Sequence, residues 1–367
     1  MPGPLQGLRV IELAGLGPAP MACMLLADLG GDVVCIDRPG GNHVGLEMEP
    51  RYRLLNRGKR RVELDLKQHA AVETVLQMVA AADVLVEGYR PGVAERLGLG
   101  PEACRARNPR LVYGRVTGYG REGPLAEVAG HDINYLALAG ALAAMGPRDK
   151  PAIPLNLLGD FAGGSMYLVF GILAALFERQ SSGYGQVVDT AMIDGVSSLM
   201  SSYLGQHAAG AVRLEREANL VDGGAPFYAV YRTADEQWVS VGAIEPKFFE
   251  TLIEGMGLDR SWLARQYDRS AWPAMRAAFE ARFAELTRSQ WCERLQQRDA
   301  CFAPVLTLAE SPAHVHHVQR GTYCVVDGVV QAAPAPRFDR TPAPPSGSVP
   351  LHIKAAAEVL AGWPARP

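Results

Sequence analysis

The stretch LRVIELAGLGPAPMACMLLADLGGDVVCIDRP, Leu8–Pro39, decides the fold class. LRVIELA is short, apolar and rich in β-branched residues, MACMLLADLG carries helical spacing, and DVVCIDRP returns to the strand pattern. Strand, helix and strand in that order begin a mostly parallel sheet. Gly15 and Gly17 lie between the first strand and the helix, and Asp37 follows Gly17 by 20 residues, a spacing that imitates a dinucleotide-binding turn. The third glycine position is taken by Pro20, which has no backbone donor where a pyrophosphate would need one. The turn therefore reads as a tight strand-to-helix connection rather than an NAD site.

Working outward, RRVELDL, DVLVEGY and LVYGRVTGYG repeat the strand signal, with a helix over HAAVETVLQMVAAA between the first two. Met166–Phe177 is apolar all round and is expected as a buried central helix, too short to span a membrane. The periodicity changes further on. YAVYRTADEQWVSVGA alternates like a hairpin, and AWPAMRAAFEARFAELTRSQWCERLQQ has helical spacing, which together predict a smaller α+β domain. Proline-rich PAPRFDRTPAPPSGSVP then leads to a last helix packed back on the first domain. The expected boundaries are a large domain over 1–190, a linker over 191–224, a small domain over 225–330 and a returning C-terminal segment over 331–367.

A chain of 367 residues exceeds what one compact core needs, which agrees with two domains. Its net charge of -3 leaves no general footprint for nucleic acid or an anionic membrane. The six cysteines form no CxxC pair, so free thiols in a reducing compartment are expected. Neither end carries a recognisable targeting or anchoring signal, and a cytoplasmic location is the expectation.

Three groups of residues could carry chemistry. Arg51, Arg53, Arg57, Lys59, Arg60, Arg61 and Lys67 crowd one short segment, while Arg38, Arg90 and Arg96 lie at or after strand ends. That concentration suits a phosphate-bearing small molecule, or equally a solvated basic face. His314, His316 and His317 sit too close together on one segment to converge on a metal unaided, and no metal site is expected. In GHDINYLALAG, Gly130–Gly140, His131 and Asp132 stand directly before an apolar helical pattern, and Asp160 does the same in LLGDFAGG. Helix N-terminal capping accounts for either aspartate, and a buried hydrogen-bonded imidazole for the histidine. The three together also suit removal of a weakly acidic proton and stabilisation of the oxyanion that results.

LRVIELAGLGPAP, VLVEGYRPGVAERLGLG, GHDINYLALAG, PLNLLGDFAGGSMYLVFGILAALFERQ and GGAPFYAVYRTADEQWVSVGAIEP, in this order, resemble the α-methylacyl-CoA racemases of the family III CoA-transferase superfamily. The similarity runs from about Leu5 to PAPRFDRTP. It implies an α/β fold with a large Rossmann-like, CoA-binding domain and a smaller α+β domain, in an interlocked homodimer. It also implies epimerisation of 2-methylacyl-CoA thioesters by two bases through an enolate, with CoA part of the substrate and no separate cofactor. Carried over residue by residue, His131 and Asp160 would be the bases, and Glu245 in GAIEP would pair with the histidine across subunits. Arg38, Leu64, Arg90 and Arg96 would hold CoA, while Gly130, Asp132, Ile133, Asn134, Tyr135 and Asn156 would border the thioester. Cys35 departs from the pattern, since members often carry a basic residue there, and the segment around Asn42 to Arg53 reads as an insertion.

Two rival readings remain at this level. A CoA transferase of the same superfamily would use Asp160 as a nucleophile and form an acyl anhydride. Such a transferase needs neither His131 nor Glu245. A catalytically silent CoA-binding protein would not need the three acid/base groups at all.

Overall fold

The computed structural model describes residues 3–41 and 47–364. Asn42–Leu46 of the expected insertion lie outside the described residues; the part that follows winds into two short 3-10 turns, Pro50–Tyr52 and Leu54–Asn56.

Two compact units divide the chain. The first comprises 1–139, 154–199 and 314–367, and the second 140–153 and 200–313. These limits differ from the expected ones at three places: 140–153 joins the small unit, the supposed linker is split at Leu199, and 314 onward belongs to the large unit.

In the large unit, β1 (Arg9–Leu13), α1 (Pro18–Asp28), β2 (Asp32–Asp37), β3 (Arg60–Glu63), α2 (His69–Val79), β4 (Val84–Glu87), α3 (Val93–Arg96), α4 (Pro101–Arg107), β5 (Val112–Thr117), α5 (Asp132–Leu138) and β6 (Val187–Ala191) follow in chain order. The strands form one six-stranded sheet in the order β3-β2-β1-β4-β5-β6, every pair parallel. Apolar residues point to both faces, as a sheet covered on both sides requires. Val10, Val33, Val84, Val86 and Val112 pack with Ala19, Ala22 and Leu26 of α1. Ile11, Leu13, Val34, Ile36 and Leu85 pack with Val75 and Val79 of α2. The strand order reverses between β1 and β4, so the loops that follow these two strands flank a crevice at the carboxyl edge of the sheet.

Leu157–Met166 winds as a π-helix and runs into the α-helix Tyr167–Ser182. This 26-residue run is longer than its apolar middle suggested, and by length and composition it could cross a membrane. It is not buried all round. Leu168, Ile172 and Ala175 pack on the sheet, where Gly114 and Gly171 permit close approach: a Cβ on Gly171 would lie 2.5 Å from Val188 Cγ1. On other faces, Phe170 is 73% exposed and Phe177 75% exposed.

Arg57 explains why the late segment belongs to the large unit. Its guanidinium is buried, forms two hydrogen bonds to Asp28 (Nε–Oδ1 3.0 Å, Nη2–Oδ2 2.6 Å), and also donates to Gln331 Oε1 and Ala332 O. The hairpin β10–β11, Tyr323–Val326 and Val329–Ala332, is thereby tied to α1. The last helix, Ala356–Gly362, packs near α2 through Val359, and Trp363 Nε1 donates to Asp32 at 2.7 Å. The six cysteines are all unpaired.

In the small unit, β7 (Tyr228–Arg232) and β8 (Trp238–Gly242) form the expected hairpin, and β9 (Phe302–Pro304) adds a third antiparallel strand on β8. Phe227, Tyr231, Phe249, Phe279, Phe283 and Trp291 form its aromatic core. The long helical pattern after Ala271 divides into Trp272–Phe283 and Arg288–Leu295. Thr287 caps the second of these, its hydroxyl accepting the Gln290 N–H while the Gln290 side chain accepts the Thr287 N–H.

Candidate active site

His131 and Asp160 reach the same place from different elements. His131, in extended conformation, is the N-cap of α5, and its backbone N–H donates to Asn134 Oδ1 at 3.0 Å. Asp160 lies within the π-helix Leu157–Met166, whose N-cap is Asn156. Both residues line a cavity of about 230 Å³ at the carboxyl edge of the sheet. Its wall includes Leu16–Pro18 after β1, Gly88–Pro91 after β4, Val116–Tyr119 at the end of β5, Gly130, Tyr135 and Met192.

The capping readings of the two aspartates are therefore corrected. Asp132 is the first residue of α5 rather than its cap, and its buried carboxylate accepts the backbone N–H of Asp160 at 2.7 Å. Gly159 makes room for that bond, since a Cβ there would lie 2.5 Å from Asp132 Oδ2. Asp132 Oδ1 is buried without a hydrogen-bond partner among the described residues. Asp160 in turn accepts from Asn156 Nδ2 at 3.2 Å. Burial holds the Asp160 carboxyl above its ordinary range; Asn156 opposes this, the Asp132 charge adds to it, and His131 opposes it.

Gly17 gives the glycine-rich turn a different use from the one its spacing imitates. It has φ 66°, and a Cβ on it would lie 3.0 Å from Asp160 Oδ2. A carboxylate thus stands at the turn where a dinucleotide would bring its pyrophosphate, and Pro18 and Pro20 remove two N–H donors from the first turn of α1.

Tyr135 packs edge-on against Tyr119, with ring centroids 4.9 Å apart, and its hydroxyl donates to Gly130 O. Gly130 and Gly118 leave room for these rings: a Cβ on Gly118 would lie 2.2 Å from the Tyr135 ring. Ile133 and Asn134 are exposed on the first turn of α5. Tyr89, Thr117 and Tyr119 also line the cavity and were not singled out from the sequence; the signal was available in their position immediately after or at the ends of β4 and β5. Glu87, the last residue of β4, was missed too. Burial pushes its carboxyl up to about 7, against the N–H of Tyr89, which donates to it at 2.7 Å.

The basic residues separate by environment. Arg38, Leu64 and Lys67 line a second cavity, of about 280 Å³, with Asp37, Asp65 and Tyr89. Arg90 lies in the wall of the first cavity, and Arg96 ends α3 with its guanidinium close to Gly92. Most of the crowded segment is committed to internal ion pairs. Arg57 pairs with Asp28, Lys59 with Glu12 (Nζ–Oε2 2.6 Å, both buried), Arg60 with Asp32, Arg61 with Asp37 and Glu63, and Arg51 with Glu49. A phosphate-binding role for the cluster as a whole does not survive this. Cys35 is buried and lines a third cavity, of about 430 Å³, beside Glu12 and Lys59.

Glu245 belongs to the small unit. It is the exposed N-cap of the helix Pro246–Met256, and its side chain makes no capping bond. His314 caps the short helix Val315–Arg320, and the His317 ring packs edge-on against Tyr323.

Residues 5–352 match the model of CoA-transferase family III. The chain is 44% identical to alpha-methylacyl-CoA racemase of Mus musculus over 93% of its length and 88% of that protein, and equally identical to the Homo sapiens protein of the same name over the same shares. A crystal structure of a CAIB/BAIF family protein from Brucella suis superimposes with a TM-score of 0.84 at 26% identity, covering 99% of this chain and 100% of the other. The chain belongs to CoA-transferase family III.

Proposed function

We propose that the protein is a racemase that interconverts the (2R) and (2S) epimers of 2-methylacyl-CoA thioesters by moving a proton from one face of the α-carbon to the other. The observation that carries this reading is the convergence of His131 and Asp160, from different elements, on one cavity. One base removes the α-proton, and the other returns a proton on the opposite face. Reversibility requires the two to exchange protonation states, and the raised proton affinity of Asp160 brings its carboxyl toward imidazole basicity. Similarity to two racemases at 44% identity supports this reading over acyl transfer through an Asp160 anhydride.

The enolate carries the cost of the reaction. The Asp132 N–H, in the first turn of α5, has no intrahelical acceptor and is the donor for the enolate oxygen, an interaction worth roughly 3 to 4 kcal/mol where such donors have been removed in other enzymes. Arg90, in the wall of the first cavity, binds CoA phosphates together with Arg96 at the end of α3, and Arg38 with Leu64 and Lys67 in the second cavity forms the nucleotide end of the site. Gly130, Ile133, Asn134, Tyr135 and Asn156 border the thioester. CoA enters as part of the substrate, and no separate cofactor takes part.

A homodimer completes the site. In it, Glu245 of one chain pairs with His131 of the other and orients the imidazole, and the second chain covers Phe170 and Phe177. The test starts from a single epimer of a 2-methylacyl-CoA, with chiral chromatography of the released acid. Appearance of the other epimer supports the reading. Formation of a new CoA ester from an added acid, with configuration retained, defeats it in favour of the transferase.

A further inference from the structure

The third cavity, of about 430 Å³, meets the first at the turn after β1, where Leu16 and Gly17 line both. Gly17 is also where the Asp160 carboxylate comes close, since a Cβ there would lie 3.0 Å from Oδ2. A ligand whose α-carbon is held at Asp160 therefore has this further space beside it. Much of the wall is apolar, built from Leu16, Met48, Pro50, Tyr52, Leu54 and Leu55, and Leu16, Met48 and Tyr52 are exposed. Met48, Pro50 and Tyr52 belong to the expected insertion. Apolar side chains left open to water around one cavity mark a surface that a ligand covers, and the size falls within the roughly 300–1,000 Å³ of small-molecule pockets.

The charges of the wall disfavour a phosphate as that ligand, although Ala14 and Asp37 line both this cavity and the second. Lys59 is paired with Glu12, Arg61 with Asp37 and Glu63, and Glu47 offsets the charge of Arg53. We propose that the third cavity takes the acyl tail of the 2-methylacyl-CoA thioester and gives the enzyme its preference for an uncharged hydrocarbon chain beyond the α-carbon. This rests on the reading that the first cavity holds the thioester. The second cavity then takes the nucleotide, the first the reacting carbon, and the turn at Leu16 and Gly17 is the threshold that the tail crosses.

The experiment measures α-proton exchange in deuterated water for 2-methylbutanoyl-, 2-methylhexanoyl- and 2-methyldecanoyl-CoA with wild type, Tyr52→Ser and Leu55→Trp, together with calorimetric titration of free CoA. In wild type, kcat/KM should rise with chain length by up to about 4-fold per added methylene and level off once the cavity is full. Tyr52→Ser removes an exposed apolar part of the wall and should lower the decanoyl-to-butanoyl ratio of kcat/KM about 3- to 10-fold. Leu55→Trp fills the cavity and should move the plateau to shorter chains. The ratio is internal to each folded sample, so a loss of stability does not imitate these effects. A wild type indifferent to chain length, or wild-type ratios in both variants, would overturn the proposal. So would variants that weaken free CoA as much as the decanoyl ester, since the cavity would then belong to CoA. Failure of the wild type to exchange the α-proton of any of the three esters would instead defeat the functional reading beneath it.

Discussion

The Asp132 carboxylate accepts the backbone N–H of Asp160 at 2.7 Å. Because Asp132 is the residue after His131, this bond fastens the turn bearing one proposed base to the helix bearing the other. The same charge raises the proton affinity of Asp160. Asp132→Asn keeps an acceptor but removes the charge, so the pH limb assigned to Asp160 should move to lower pH while CoA affinity holds. Asp132→Ala also orphans the N–H and should cost about 1–3 kcal/mol of stability. A pH–rate profile of the asparagine variant identical to wild type would remove Asp132 from the mechanism.

Gly159→Ala tests the same bond from the other side. Its Cβ would lie 2.5 Å from Asp132 Oδ2, so either the hydrogen bond lengthens or the π-turn shifts. Turnover should fall at least about 10-fold, since a displacement near 1 Å can cost more than that, with the folded state retained by circular dichroism. Wild-type kcat in this variant would show that the turn tolerates the shift.

Asp160 should weaken the fold in which it works. Its folded-state proton affinity is raised, so stability is fully present below its ordinary value of 3.8 and is lost as pH rises through the raised value. Asp160→Asn removes that loss. The variant should therefore melt higher than wild type at neutral pH and converge with it in acid, while epimerisation is nearly abolished. A lower melting temperature at neutral pH would contradict the assigned cause of the shift.

Lys59 should act in stability and not in binding. Lys59→Met leaves the buried Glu12 carboxylate unpaired and should cost about 3–5 kcal/mol by urea unfolding. Glu12→Leu combined with Lys59→Met should recover most of that loss. An undiminished penalty in the double variant would mean that the pair does more than neutralise itself.

These contrasts show what a linear reading could and could not reach. Strands β1, β2, β4 and β5 were legible because each carries β-branched apolar residues and is bounded by turns, whereas β3, RRVE, has Val62 as its one apolar residue and was legible only from the alternation of the longer stretch RRVELDL. β6, VVDTA, was not, because it mixes Asp189 and Thr190 into a short run after a long helix. The basic segment read equally as a phosphate site or a solvated face because its acid partners, Glu12, Asp28 and Asp32, lie far back in the chain and meet it only through the sheet and α1. The late boundary was missed for the same reason, since the bonds from Arg57 to Gln331 and Ala332 span more than 270 residues. At the site, the motifs carried His131 and Asp160. The bond between Asp132 and Asp160 depends on a π-turn that no periodicity announces.

The central claim, that His131 and Asp160 relay a proton across the α-carbon, is tested most directly by proton NMR of each pure 2-methylacyl-CoA epimer with enzyme in deuterated water. Wild type should exchange the α-proton of both epimers and produce both configurations. His131→Ala and Asp160→Asn should nearly abolish interconversion, while one of them retains exchange of a single epimer without inversion. Epimerisation of both substrates by Asp160→Asn at near wild-type rate, or acyl transfer by the wild type with no α-proton exchange, would contradict the account.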